Sequence, residues 1–442
     1  MTKKTSLLAG AALSVVTMCV SAPAQAAPAR HARVRAPNAV QTQAAEIRAL
    51  RDQVQALTDR LNAQEAAQQQ VQQQAAQAQA TAQAVQEAQA SADNDIQTIP
   101  DQVNLAVAAI PKPKKSWADN TTVSGRMYYD LTSVEQKRDG VKIAPSGVGF
   151  DIKRFYVGVD HKFNDTFSAN ITTDFQYSSA ISATELYIKK AYLQAKVSDA
   201  LVVRLGSTDL PWVPYAEDIY GFRYVENTLI DRDKFGTSAD WGVHASGALP
   251  GGIVSYAVAV IDGAGYKAPL RSKGMDVEGR VSAKIDKINL AVGGYAGKLG
   301  KESQGIPSFH TAKRFNALAA YVDPKFRVGA EYFAAKDWNN VTTVASDKAD
   351  GYSVFGSYNF TDKISVFGRY DWVKPNKTTV SAKKDDYFNL GVSYTPTKIV
   401  DFALVYKRDE LENGTLSTSN GTIGGVNKGT YDEVGLWGQF RW

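Results

Sequence analysis

Side chains that could do covalent or metal chemistry are few in this sequence. The one cysteine is Cys19, and the four histidines are His31, His161, His244 and His310. No His-x-x-His or Gly-x-Ser-x-Gly spacing accompanies them, and nothing marks a serine placed beside a histidine as a catalytic triad requires. The sequence therefore predicts no enzymatic activity, no cofactor and no metal site.

Basic side chains, in contrast, recur at alternate positions of short segments. Alternate residues of a β-strand point to opposite faces, so that Phe155 and Val157 would share one face and Arg154 the other. The same alternation places further basic residues on the polar face: Lys190, Lys196, Arg204, Arg280, Arg314, Arg327 and Arg369. A polar wall of Lys and Arg lowers the energy of an anion beside it. Arginine in addition can bind two oxygens of a phosphate or carboxylate.

The elements that would carry these residues are sixteen amphipathic segments between Thr121 and Trp442. Each is about 10–14 residues long, which suits a tilted membrane strand. Seven connections are short and rich in turn residues, such as Pro250-Gly251 and Asp323-Pro324, and they alternate with eight generally longer loops. This pattern predicts an all-β fold, a 16-stranded antiparallel transmembrane β-barrel with both ends on the periplasmic side. In the last segment Val434, Leu436, Phe440 and the terminal Trp442 share one face, as in an outer-membrane assembly signal.

The longest connection, residues 211–236, is unusually aromatic for a solvent loop. We expect it to fold into the barrel and narrow the lumen, with a latch between subunits as the alternative. The residues expected at this constriction are Trp212, Tyr215, Glu217, Asp218, Tyr220, Arg223 and Glu226.

The N-terminal part of the chain differs sharply in composition. Residues 1–26 read as a secretory signal, with Lys3 and Lys4 before an apolar run and a small-residue cleavage site. Residues 27–110 contain no glycine and no aromatic residue, and they precede a linker at 111–116 and the barrel at 117–442. Ile47, Leu50, Val54, Leu57 and Leu61 follow heptad spacing, which predicts an α-helical coiled coil that joins subunits. A disordered Ala/Gln-rich tether is the alternative.

Charge narrows the possible partners. The net charge is +5, and without the signal 48 basic residues face 45 acidic ones, which is too small an excess to predict nucleic-acid binding. Ion selectivity must then depend on where the charges lie.

Several stretches of the chain resemble the phosphate-selective porin O and P family. They are Ile152 to Asp160, Thr172 to Tyr177, Ile188 to Leu193, Val203 to Gly206, and Pro211 followed by Tyr224 to Leu229. The resemblance covers roughly residues 150–247. It implies a homotrimeric, sixteen-stranded outer-membrane channel that favours phosphate-type anions through lumenal Arg and Lys, with Arg154 and Lys190 as the matching positions.

Together these features predict a water-filled channel for passive diffusion of small solutes that prefers anions of the phosphate type. The expected location is the bacterial outer membrane, with the helical region in the periplasm. Two alternatives stay open: a general or carbohydrate-leaning porin, for which Trp212, Tyr215, Tyr220 and Phe222 could form an aromatic slide, and an anchor that links the membrane to peptidoglycan through the coiled coil.

Overall fold

The chain forms two units, which are described separately. The computed structural model describes residues 39–96, 116–178 and 183–442, and the two units are Met1–Pro113 and Lys114–Trp442. The predicted signal segment, the basic tail before residue 39 and residues 111–115 of the predicted linker lie outside the described residues.

The described part of the first unit is helix α1 (Ala39–Ile96), 58 residues long. Leu50, Val54, Leu57 and Leu61 of the predicted seam are 60–64% exposed. Apolar side chains at this spacing are what a coiled-coil helix presents to its partners, but the coiled coil itself stays a prediction. No helix in the described ranges is long and apolar enough to cross a membrane.

The second unit begins with a short 3₁₀ helix (Trp117–Asn120) and continues as a single antiparallel sheet. Its strands are β1 (Thr121–Arg138), β2 (Val141–Lys142), β3 (Gly147–Lys162), β4 (Phe167–Ser178), β5 (Ala183–Ser198), β6 (Leu201–Asp209), β7 (Ala239–Ala248), β8 (Val254–Ile261), β9 (Asp276–Ile285), β10 (Ile288–Gly297), β11 (Ala312–Val322), β12 (Phe326–Lys336), β13 (Lys348–Asn359), β14 (Ile364–Lys374), β15 (Lys384–Thr397), β16 (Val400–Thr418) and β17 (Gly421–Arg441).

The sheet closes on itself because β1 pairs with β3 on one side and with β17 on the other. Leu131, for example, lies opposite Phe150 and also opposite Leu436. The two-residue β2 belongs to the connection between β1 and β3, so that sixteen strands make up the wall. The predicted 16-stranded antiparallel barrel is confirmed.

Short and long connections alternate around the barrel. The seven short turns contain two to five residues each. In the turn Asp286-Lys287, Asp286 has a positive φ of 53°, a conformation that Asp tolerates better than most residues. The eighth long connection differs from the prediction, because residues 412–429 were expected to form a loop. Instead β16 and β17 extend as one hairpin to a tight turn at Ser419-Asn420, with pairs such as Thr415 and Gly424.

The two faces of the wall differ in polarity. Outward positions carry apolar side chains that remain exposed, among them Val281, Leu290, Val328 and Leu404. Inward positions carry polar and charged side chains, many of them buried. Tyr128, for example, lies on the inner face and is buried. The interior of the barrel therefore holds most of the chemistry of this chain.

Candidate functional site

The connection between β6 and β7, residues 210–238 and called here the inserted loop, folds into the barrel. It contains two short helices, α2 (Val213–Tyr220) and α3 (Leu229–Arg232). Pro214 is tolerated in the first turn of α2, where its missing N–H would have no helical partner. Gly221 ends α2 with a φ of 81°, and a Cβ at this position would collide with the guanidinium of Arg327 on the wall.

Apolar side chains fix the loop to the wall. Trp212, Leu229, Ile230 and Phe235 are 0–1% exposed, and the ring of Phe235 lies 4.9 Å from that of Phe333 on β12. Burying each of these side chains contributes about 1.5–3 kcal/mol. The loop is therefore a packed part of the barrel interior. This placement agrees with folding into the lumen and not with a latch between subunits.

Two wall carboxylates bind the start of the loop. The indole Nε1 of Trp212 donates to Glu331 at 2.7 Å, and its backbone N–H donates to Glu278 at 3.0 Å. Arg314 on β11 in turn bonds Glu278 at 2.8 Å and the backbone carbonyl of Phe235. Sequence reasoning placed Trp212 and Arg314 at the channel, whereas both are buried in the contact between loop and wall.

A buried ionic cluster holds the end of α3. Arg232 is fully buried and lies 2.6–3.1 Å from carboxylate oxygens of four residues: Asp233, Asp371, Asp385 and Asp409. Arg369 bonds Asp371 and the backbone carbonyl of Asn227. Burial raises the pKa of Asp233 well above its ordinary range although Arg232 opposes it, and the charges of Asp385 and Asp371 act in the same direction as burial. Four carboxylates thus share two guanidinium groups, and this excess of negative charge favours the protonated form of Asp233.

A second buried contact joins the loop to the β16–β17 hairpin. Glu226 accepts hydrogen bonds from Lys407 at 3.3 Å, Ser419 at 2.7 Å and Asn420 at 3.0 Å. Burial works to raise the pKa of Glu226, but the charges of Lys407 and Lys153 outweigh it and hold this pKa well below its ordinary value. Glu226 is therefore an ionised anchor of the loop.

The space beside the inserted loop stays open. A cavity of about 690 Å³ lies between α2 and the wall formed by β1 and β3–β6. Its basic lining residues are Arg126, Lys189, Lys190, Arg223 and Arg441, and its acidic ones are Asp160, Asp209, Glu217 and Asp218. Most of the bases come from the wall, and Glu217 and Asp218 come from the loop. The wall also carries the acids Asp160 and Asp209, and the loop carries the base Arg223, so that the lining is net positive on the wall and net negative on the loop.

Several of these charges are already neutralised by a neighbour. Lys190 pairs with Asp209, Arg223 with Glu217, and Arg441 with Asp401. Among the described residues, Arg126 and Lys189 take part in no ion pair within 4 Å and bond only tyrosine hydroxyls, those of Tyr128 and Tyr156. The wall of the cavity thus carries positive charge that no ion pair among the described residues neutralises.

Two β-bulges bring pairs of adjacent basic residues into the interior. The register between β4 and β5 shifts at Lys189, so that Lys189 and Lys190 both point inward. A similar shift on β3 places Lys153, which bonds the carbonyl of Val225 at 3.1 Å, beside Arg154. Strict alternation predicts only one inward residue of each pair. A bulge inserts one residue and resets the alternation, and no feature of the sequence marked these positions.

The remaining predicted lining residues lie at different depths. Arg154 pairs with Asp174 at 3.2 Å and is largely buried. Arg204 bonds Gln194 at 2.8 Å and lies over the ring of Tyr192. Lys196 lies at a short turn, where it pairs with Asp199. Arg280 and Arg327 face α2, Arg280 over the ring of Tyr215 at 4.0 Å and Arg327 beside Gly221.

The structure corrects the prediction that Arg314 and Arg369 line the channel. Each is 4% exposed. Each bonds a carboxylate of the barrel wall and also a backbone carbonyl of the inserted loop. They lie inward as alternation requires, but the loop covers them. Arg126, Lys189 and Arg441 line the passage and were missed by the sequence reasoning.

The aromatic residues of the loop do not form an exposed slide. Trp212 and Tyr220 are 0% and 3% exposed, and the ring of Phe222 stacks on Phe367 at 3.9 Å. Tyr215 lies under Arg280. These rings pack against the wall, which corrects the idea that they offer a continuous apolar track to a sugar.

The same barrel occurs in solved structures of bacterial outer-membrane proteins. An anion-selective porin from Comamonas acidovorans is 14% identical, with 73% of this chain and 99% of that chain covered and a TM-score of 0.53. OmpF of Salmonella typhi, in complex with daunomycin, is 11% identical, with 74% and 99% covered and a TM-score of 0.52. A loop L8 deletion mutant of OmpT of Vibrio cholerae is 16% identical, with 73% and 100% covered and a TM-score of 0.50.

At these identities the likeness shows the fold alone, a sixteen-stranded barrel of the porin type. No protein-family profile matches the chain, and no curated protein is significantly similar to it in sequence. Membership of the phosphate-selective O and P family stays a prediction.

Proposed function

Because the barrel has the porin fold, we propose that this protein is an outer-membrane porin. It would be a channel for passive diffusion of small solutes that prefers anions. The observation that carries the proposal is the cavity of about 690 Å³ beside the inserted loop, with Arg126 and Lys189 unpaired by any acid of the described residues. A cation-lined constriction lowers the energy of an anion that passes it. In this proposal the protein lets solutes cross by diffusion and catalyses no reaction.

The outer surface supports a membrane location. Outward apolar residues cover the middle of the wall, and aromatic rings lie outward near strand ends, as with Tyr321 stacked on Phe326 and Tyr352 stacked on Trp372. Aromatic rings favour the boundary between lipid and water. We place the barrel in the bacterial outer membrane, its short turns and the N-terminal helical region in the periplasm.

The selectivity proposal has independent support in the pairing of charges. Around α2, Arg280 and Arg327 also form no ion pair among the described residues, and Asp218 is the loop acid whose charge acts on both. Within the cavity lining the two unpaired bases, Arg126 and Lys189, equal in number the two unpaired acids, Asp160 and Asp218, and Arg280 and Arg327 add two more cations around α2. The anion-selective porin from Comamonas acidovorans has the same fold, which is consistent with a preference for anions. Phosphate-type anions are the proposed preferred class, because arginine can bind two of their oxygens.

Assembly into a homotrimer is part of the proposal. The exposed seam of α1 supplies apolar residues at coiled-coil spacing. Three barrels joined in this way would each keep a separate passage. Peptidoglycan is a second proposed partner of the helical region.

Diffusion itself is tested with the full-length protein in liposomes. Swelling in isotonic solutions of neutral solutes should be faster for a pentose than for a trisaccharide, since the inserted loop occupies part of the lumen and narrows it. Refolded protein whose strands are intact by circular dichroism but which gives no swelling and no ionic current would overturn the channel and favour the anchor.

A further inference from the structure

Tyrosines and cations are paired repeatedly along one side of the barrel interior. Lys189 Nζ lies 4.6 Å from the ring centre of Tyr156, the guanidinium of Arg204 lies 5.5 Å from that of Tyr192, and Lys267 Nζ lies 4.6 Å from that of Tyr187. All three distances are within the range of a cation–π contact. The pairs are not confined to one point of the barrel.

The pairs follow the inner face of β5. Tyr187 and Tyr192 both belong to β5, and Tyr156 lies on β3, two strands away. Five residues of strand separate Tyr187 from Tyr192, roughly 16 Å at the usual rise. A solute that moves along β5 would therefore meet a ring and a positive charge more than once.

The middle of this track lies in the open passage. Tyr156, Tyr192 and Lys189 line the cavity together with Lys190. Lys189 is 9% exposed and forms no ion pair within the described chain. A cation so nearly buried is costly without a counter-ion, and an anion in the cavity would supply one. The adjacent tyrosine rings offer surface that an inorganic anion does not use.

We propose that the preferred solutes of this channel include carboxylates that carry an aromatic ring. The carboxylate would pair with Lys189, Lys190 or Arg204, while the ring packs against Tyr156 or Tyr192. The negative face of the ring attracts the neighbouring cations, and its positive edge suits the face of a tyrosine. A saturated ring of similar size and equal charge makes only the apolar contact. This proposal rests on the proposed anion channel and names a substrate class for it.

The test uses full-length protein in a planar bilayer, with chloride current measured while a second anion is added. Benzoate, cyclohexanecarboxylate and acetate carry the same charge. Benzoate should reduce the chloride current at a concentration about two- to fivefold lower than cyclohexanecarboxylate, as a cation–π contact of ordinary strength requires, and acetate should be weakest. Equal effects of benzoate and cyclohexanecarboxylate would overturn the proposal, and this comparison needs no variant.

Two substitutions locate the contact. Tyr156→Leu and Tyr192→Leu should each bring the benzoate effect closer to the cyclohexanecarboxylate effect, because the ring contact is lost while every cation is retained. The matched control is Tyr321→Leu: Tyr321 lies under Lys287 at 6.0 Å but on the outer face of β11. If both lumenal variants retain the full benzoate effect, the tyrosines are not the binding surface and the proposal is wrong. A wild-type channel without anion preference would refute the proposed selectivity instead, which is a separate result.

Discussion

At Lys189 and Lys190, one extra residue in β5 determines which side chains point into the cavity. Alternation along β5 accounts for Lys190, Tyr192 and Gln194, all on the inner face. The bulge at Lys189 adds a second cation at the same level, next to Tyr156. Asp209 neutralises Lys190. Lys189, the residue that the bulge adds, therefore contributes more positive electrostatic potential to the cavity than Lys190 does. The proposed anion preference would thus depend on a backbone irregularity as well as on residue type.

Lys267 provides a pH-dependent charge in the long loop between β8 and β9. Burial and the positive charge of Arg154 lower the pKa of Lys267 to about 8, against the acids Asp174 and Glu185. Since lysine is charged below its pKa, this charge is present at neutral pH and is lost above about pH 8. Anion preference should therefore decline between about pH 7 and about pH 9.

Reversal potentials across that pH range measure the effect. Lys267→Met should lower the anion preference at neutral pH and remove the step near the pKa. A variant whose profile keeps the same step would assign the titration to another group.

At the scale of elements, the inserted loop determines the size of the opening. Its apolar residues pack on β8 and β10–β14, and its charged residues enter two buried networks, one around Arg232 and one around Glu226. The networks are separate from the passage, where α2 presents Glu217 and Asp218. The loop is therefore held by one set of residues and acts on solutes through another.

Removing Arg232 should loosen this loop. Arg232→Met leaves four buried carboxylates with Arg369 alone, and breaking a buried pair costs about 3–5 kcal/mol. We expect a lower unfolding midpoint in urea and faster tryptic cleavage at Lys234. Arg408→Met is the matched control, because Arg408 pairs with Glu410 and Asp432 on the partly exposed outer face and such pairs contribute about 0–1 kcal/mol. Equal losses in both variants would contradict the assigned role.

The sequence predicted the barrel better than the site. Strand periodicity and turn residues repeat sixteen times around the wall, so local errors such as the missed extension of β16 and β17 did not change the topology. The site depends on contacts between distant segments. Nothing local in the sequence shows that Arg314 and Arg369 lie beneath the loop, or that Arg126 and Arg441 remain beside the opening. Loop docking and bulges are tertiary features, and alternation alone cannot supply them.

On the scale of the whole molecule, we propose separate tasks for the two units. The barrel closes through the pairing of β1 with β17, and Trp442 at its end packs against Phe155 and Phe440. Helix α1 exposes an apolar seam. The barrel provides the passage, and the helix is proposed to join subunits.

Charged residues placed in that seam should weaken assembly without unfolding the barrel. Val54→Glu with Leu57→Glu should lower the temperature at which trimers separate on semi-native gels, because buried seam positions exclude unpaired charge. Gln55→Glu, at an exposed position off the seam, is the control. Trimers of unchanged heat stability in the seam variant would remove the coiled coil from the proposal.

The most direct test of the account is the reversal potential of the full-length channel in a planar bilayer under a KCl gradient. We expect a reversal potential that favours chloride in the wild-type channel. Lys189→Gln and Lys190→Gln should each shift this reversal potential toward potassium. Lys313→Gln, on the exposed outer face of β11, should leave the potential unchanged. A wild-type potential at zero or in favour of potassium, or lumenal variants that behave like Lys313→Gln, would contradict the anion-preferring wall.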